Sequence, residues 1–226
     1  MTISTKTRRS APYLQNPVEY LVNKLRSSNK RLLIALAGVP GSGKSTLAAR
    51  LQQQVNAATD GECTALGMDG FHFYKAELRQ MPNPEQAFAR RGAPWTFNVA
   101  ALYERLLALR HAYGRESVTW PSFEHGVGDP VEDAQIISPT GRLIIVEGLY
   151  LLHNADGWER VSRLFDERWY LDTPVELSLE RLAQRHMQAW GMSRAQAEAR
   201  IDGNDRLNAE LVRSSVRSAN WRVALD

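Results

Sequence analysis

The 226-residue chain has 28 basic and 25 acidic side chains and a net charge of +3. That length suits one domain with a real core; no apolar segment approaches the ~20 residues of a membrane span, and no basic block or aromatic-basic interleaving marks a nucleic-acid binder. The single cysteine, Cys63, excludes an internal disulfide and a cysteine-based zinc cluster, and fits a reducing cytoplasm.

Residues 1–15 carry no periodicity and are expected to be a disordered or loosely attached N-terminus, with one domain over 16–226. Asn16 offers an N-cap and Pro17 a first helical position, followed by Val18, Leu21, Val22 and Leu25 on one face. Leu32 to Ala37 is a short aliphatic run that reads as a buried strand. It ends in Gly38-Val39-Pro40-Gly41-Ser42-Gly43-Lys44-Ser45-Thr46, which fits GxxxxGK[ST]. Glycines let such a loop turn its backbone NH groups toward phosphate oxygens. Lys44 then reaches the β and γ phosphates, Ser45 takes one position on Mg²⁺, and a helix from Lys44 to Val55 adds the field of its N-terminus. The nucleotide site is therefore Gly38, Pro40, Gly41, Ser42, Gly43, Lys44, Ser45 and Thr46.

Cys63 to Met68 is the next strand, ending at Asp69-Gly70 on the rim where ligands of open α/β sheets bind. The proline-bearing stretch from Met81 to Pro94 reads as a loop or lid, and helical spacing returns from Val99 to Leu109. Ser117 to Trp120 reads as a short strand, with a polar loop to Pro139. Leu143 to Val146 is a buried strand ending in Glu147-Gly148, and Trp169 to Leu171 another, ending at Asp172. Thr173-Pro174-Val175-Glu176 suggests a capping box for a helix with Val175, Leu179, Leu182, Ala183 and His186 on one face and Arg181 and Arg185 on the opposite side. Ser193 with Gln196 starts a further helix, Gly203 interrupts it, Leu207 and Leu211 continue an apolar edge, and Trp221, Val223 and Leu225 alternate as a last strand. Strands alternating with helices predict an α/β fold of the P-loop NTPase kind, with a mostly parallel central sheet flanked by helices.

The phosphate loop alone fits a GTPase, an ATPase or a kinase. Neither the DxxG switch nor the NKxD base-reading motif of Ras-type GTPases occurs. Glu147 stands where a Walker B acid would help hold Mg²⁺, and Asp69 is the carboxylate placed to take a proton from an acceptor hydroxyl.

The chain resembles the P-loop small-molecule kinases that include uridine kinase, phosphoribulokinase and bacterial pantothenate kinase, and most of all the uridine-kinase-like subgroup described as fructose-transport-system kinases. The resemblance rests on Gly38–Thr46, Met68-Asp69-Gly70-Phe71-His72, Arg91 to Phe97, Pro121 to His125, Val146-Glu147-Gly148, and Arg181 with Arg185 after Asp172-Thr173-Pro174. It implies an ATP- and Mg²⁺-dependent kinase with Asp69 as catalytic base and Glu147 near the metal. It also implies a helical lid in which Arg181 and Arg185 join Lys44 in stabilising the transferring phosphoryl group. Asn98 and Glu124 depart from the aspartates of that pattern, which leaves the acceptor open among sugars, nucleosides and pantothenate-like molecules. His72, Arg90, Arg91, Trp95, Phe123 and His125 are the acceptor-pocket candidates, Arg91 for an anionic group and Trp95 for a ring. The expected partner is this small hydroxyl-bearing molecule, not a nucleic acid or a membrane, with a homodimer left open. The rival reading is an ATPase or a regulatory nucleotide-binding protein without an acceptor.

Overall fold

The computed structural model describes residues 11–124 and 126–225. Its centre is a five-stranded, wholly parallel sheet in the order β2-β5-β1-β6-β7, formed by β1 (Leu32–Ala37), β2 (Cys63–Gly67), β5 (Leu143–Gly148), β6 (Glu167–Leu171) and β7 (Trp221–Val223). In β1, Leu33, Ala35 and Ala37 join one apolar cluster while Leu32, Ile34 and Leu36 join another. A strand apolar on both sides demands cover on both sides. One face is covered by α5 (Val99–His111) and α6 (Trp158–Arg163), the other by α1 (Pro17–Arg26) and α2 (Lys44–Ala58). Among the described residues no helix is long and apolar enough to cross a membrane.

Local chemistry sets most boundaries as the sequence predicts. Asn16 caps α1 by accepting from the Glu19 amide at 3.2 Å, and Pro17 occupies the first turn. Asn98 caps α5 in the same way.

Several expectations are corrected. The stretch read as a loop to Pro139 is instead the second arm of an antiparallel hairpin, β3 (Val118–Glu124) with β4 (Asp129–Ile137). Most of β4 is exposed on both sides, so no alternation betrays it. The Met81–Pro94 stretch is not loop throughout: it contains the short helix α4 (Pro84–Ala89), capped by Asn83, and a shorter helix, α3 (Lys75–Leu78), precedes it. Thr173 does not cap α7 (Val175–Trp190); its hydroxyl donates to the Ser42 carbonyl at 2.9 Å and so ties the phosphate loop to the lid. Leu207 is 47% exposed, and the buried edge of α9 (Arg206–Ser214) is Asn208, Ala209 and Val212. Leu225 lies beyond β7 and packs beside Gly43. Residues 1–10 of the N-terminal stretch expected to be disordered or loosely attached lie outside the described residues; in its remainder, the Leu14 amide donates to the Arg222 carbonyl at 2.8 Å, so this part runs beside β7.

The predicted capping box of Ser193 and Gln196 opens α8 (Arg194–Arg200), and at the predicted interruption Ile201–Asp205 forms a π-helical turn leading into α9. Together α7, α8 and the start of the π-helical turn form a helical lid around a small cluster of their own, Leu179, Leu182, Ala183, Ala197 and Ile201, whereas α9 sends Ala209 and Val212 into a core cluster beside the sheet.

Candidate active site

The site forms where β1, β2 and β5 end, with Glu147 in register with Leu36 on one side and Gly67 on the other. The phosphate loop follows β1, and Gly41 and Gly43 sit at φ of 74° and 95°, a region that favours glycine. At Gly41 a Cβ would collide with the Ser178 carbonyl of α7, so the loop and the lid pack backbone to backbone there.

Lys44 is buried, and its Nζ donates to the Val39 carbonyl at 3.0 Å. Burial pulls its pKa down, opposed by the nearby carboxylates of Glu147 and Asp69. The Ser45 hydroxyl donates to Glu147 Oε1 at 2.7 Å. Burial pushes the Glu147 carboxyl up, and the Lys44 ammonium opposes that shift. A hydroxyl and a carboxylate converging in this way fit Mg²⁺, which takes one or two protein oxygens and completes its shell from phosphates and water. Ser45 and Glu147 are therefore the residues that could hold it.

Asp69 lies in a 3₁₀ turn, Met68–Phe71, that the hairpin grips. Trp120 donates its indole NH to the Gly67 carbonyl at 2.8 Å and meets Phe71 edge to face at 4.9 Å. Gly70 lies so close to the Pro121 carbonyl that a Cβ would overlap it. The Asp69 carbonyl is 2.8 Å from His72 Nδ1, which orients that ring against Phe97 (centroids 3.9 Å apart) and Phe123 (4.6 Å).

These groups share one cavity of about 270 Å³ whose wall includes Lys44, Ser45, Asp69, Glu147, His72 and Phe123. Arg185 faces both this cavity and the space along the outer flank of the phosphate loop, whereas Arg181 faces only the latter. The acceptor candidates divide. Arg91 borders the cavity, but its terminal nitrogens donate to the Gly128 and Phe73 carbonyls and to Asp129, so it also fastens the hairpin. Arg90 is not on the cavity wall; it donates to Asn208 Oδ1 at 3.1 Å. Trp95 is 45% exposed and away from the cavity, so it covers no ring bound there. His125 lies outside the described residues.

Sequence reasoning missed Phe97, Trp190, Arg200, Asp205 and Asn208, all on the cavity wall. It placed His186 on the apolar face of α7 and gave it no role. The ring is 3% exposed, with Nε2 3.0 Å from Asp205 Oδ2, and a titratable ring on an apolar face was the available signal.

Comparison with known proteins agrees with this geometry. Residues 33–209 match the model of the Phosphoribulokinase / Uridine kinase family. The chain is 39% identical over 196 residues to the Schizosaccharomyces pombe protein named "Putative uridine kinase C227.14", spanning 85% of this chain and 83% of that one. It is 34% identical over 217 residues to the Escherichia coli protein YggC, spanning 94% and 86%. A crystal structure described as a "putative fructose transport system kinase", from Silicibacter sp. TM1040, superimposes with a TM-score of 0.78 at 30% identity, over 93% of this chain and all of that one. The chain thus belongs to the phosphoribulokinase and uridine kinase family, and its fold is that of the P-loop kinases.

Proposed function

We propose that the protein transfers the γ-phosphoryl group of ATP to a hydroxyl of a small molecule held between Asp69 and the aromatic wall of His72, Phe97 and Phe123. The observation that carries this reading is the sharing of one cavity by the phosphate-loop lysine and an aspartate in the turn just beyond β2, on the far side of β5 from β1. ATP binds with its β and γ phosphates on the loop amides and Lys44, and Arg181 and Arg185 approach from the lid. Ser45 and Glu147 would hold Mg²⁺, whose charge would offset that of the phosphates as the bond breaks.

Asp69 accepts the proton of the acceptor hydroxyl as its oxygen forms a bond to Pγ. The bond from Pγ to the β–γ bridging oxygen breaks, its electrons leave on ADP, and the proton later passes to water. Closure of the cavity over both substrates would exclude water, which would otherwise compete as acceptor.

The test is to incubate the protein with ATP, Mg²⁺ and a panel of sugars, nucleosides, pantothenate and hydroxy acids, and to seek the added phosphate by mass. A phosphorylated acceptor is the expected result. Phosphate release at one rate whatever is added would instead favour the ATPase reading. Lys44→Ala is expected to lose nucleotide affinity as well as transfer, and unchanged affinity by calorimetry would count against the phosphate-cradle role.

A further inference from the structure

Among the described residues, Arg181, Arg185 and Arg200 have guanidinium groups facing the ligand spaces without an ion pair or a hydrogen bond. They do not serve the same side. Arg181 borders the outer flank of the phosphate loop, Arg185 borders both spaces, and Arg200 borders only the main cavity, with His72, Phe97 and Phe123. Two of the three thus border the outer flank of the phosphate loop, whereas Arg200 directly precedes the π-helical turn whose Asn204 donates to the Arg91 carbonyl, on the side of the acceptor segment.

Arg200 is held there by a stack. Its guanidinium carbon lies 4.7 Å from the Trp190 ring centroid, Trp190 is stacked on His186 at 4.7 Å and 13°, and His186 meets Asp205 at 3.0 Å. Asp205, the carboxylate of that wall, is therefore engaged by His186. Of the other cations of the cavity, Lys44 has Glu147 and Asp69, Arg91 has Asp129 at 3.0 Å, and Arg185 lies within the field of Glu147. Arg200 has only the indole, and its Nε is fully buried with no acceptor. A buried donor left unmet costs free energy. Because that Nε is shut off from solvent, the donors left for a ligand in the cavity are the terminal nitrogens of Arg200.

We infer that the acceptor carries an anionic group, a carboxylate or a phosphate ester, which Arg200 binds while the reacting hydroxyl faces Asp69. This rests on the kinase reading above and names the substrate class of that site. Arg–oxyanion pairing is planar and bidentate, and the contact with Trp190 restricts the guanidinium beforehand, so that less freedom is lost on binding.

Matched pairs that differ in the anionic group provide the test: glycerate against glycerol, pantothenate against pantothenyl alcohol, ribulose 5-phosphate against ribulose. Each is offered to the wild-type protein with ATP and Mg²⁺, and the carboxylate and phosphate arms separate the two sources of charge. We expect an anionic member to be phosphorylated with kcat/KM at least about tenfold above its neutral partner. Arg200→Gln should raise the KM for that acceptor by about ten- to a hundredfold while the ATP KM stays near its wild-type value, with Arg200→Lys in between. Neutral members used as well as the anionic ones, or an Arg200→Gln effect on the ATP KM alone, overturns the inference and leaves the kinase reading standing. Calorimetric binding of the same anions in the presence of a non-hydrolysable ATP analogue needs no turnover. Anions that bind through Arg200 without being phosphorylated keep the anion site and defeat the kinase reading, whereas no binding by any of them defeats the anion site.

Discussion

Lys44 and Glu147 are each displaced from ordinary titration by the same burial, in opposite directions, and each limits the shift of the other. For Glu147 the folded chain keeps its proton to higher pH than the unfolded chain does. The group therefore favours the folded state below the usual glutamate range, and that contribution is lost as pH rises through the raised value. Metal binding runs the other way, because the carboxylate must be ionised to hold Mg²⁺. The affinity for Mg²⁺ and ATP together is expected to weaken as pH falls through that raised value, and the Glu147→Gln variant should show a flatter dependence in the same window. Titration calorimetry across pH checks this, and identical slopes in the two proteins would contradict the metal role.

Two elements meet at Gly148, the last residue of β5. A Cβ there would stand 2.5 Å from Met68 Cβ and 2.7 Å from its Sδ, and Met68 is wholly buried just before Asp69. Gly148→Ala is expected to destabilise the protein by about 1–3 kcal/mol by overpacking and to slow transfer by moving the Asp69 turn. Denaturant unfolding together with a rate assay checks this, and a wild-type midpoint would contradict it. The sequence exposes the glycine after Glu147 but not its reason, because Met68 lies far away in the chain and arrives only through the pairing of β2 with β5. Strands β1 and β5 were legible because both faces are apolar, which leaves an unbroken aliphatic run. β4 was not, since Val131 and Ile136 are 41% and 75% exposed and Ile137 closes the strand without any period. The phosphate-loop residues and Asp69 could be read from local motifs. The Arg200–Trp190–His186–Asp205 stack could not, because its geometry depends on a π-helical turn that the residues Ile201–Asp205 announce only as a break.

Over the whole molecule, two large apolar clusters sandwich the sheet, while the lid keeps a small one of its own. The lid is tied to the acceptor segment by polar links: Asn204 donates to the Arg91 carbonyl at 2.9 Å, and Arg90 donates to Asn208. Local opening should therefore be easier in α7 and α8 than in the central strands. Amide hydrogen exchange is expected to be faster in those helices than in β1 and β5, to slow when ATP and Mg²⁺ bind, and to quicken in Asn204→Ala. Uniform exchange unchanged by nucleotide would contradict a lid. The central claim, that a triphosphate gripped at the head of α2 delivers its last group to an alcohol served by Asp69, is tested most directly by one paired measurement. ATP with an isotopically labelled γ-phosphoryl group is given to wild type and to Asp69→Asn, and nucleotide binding and label transfer are followed together. The account predicts that the variant binds ATP normally and transfers label about 10² to 10⁴ times more slowly; transfer at the wild-type rate would contradict it.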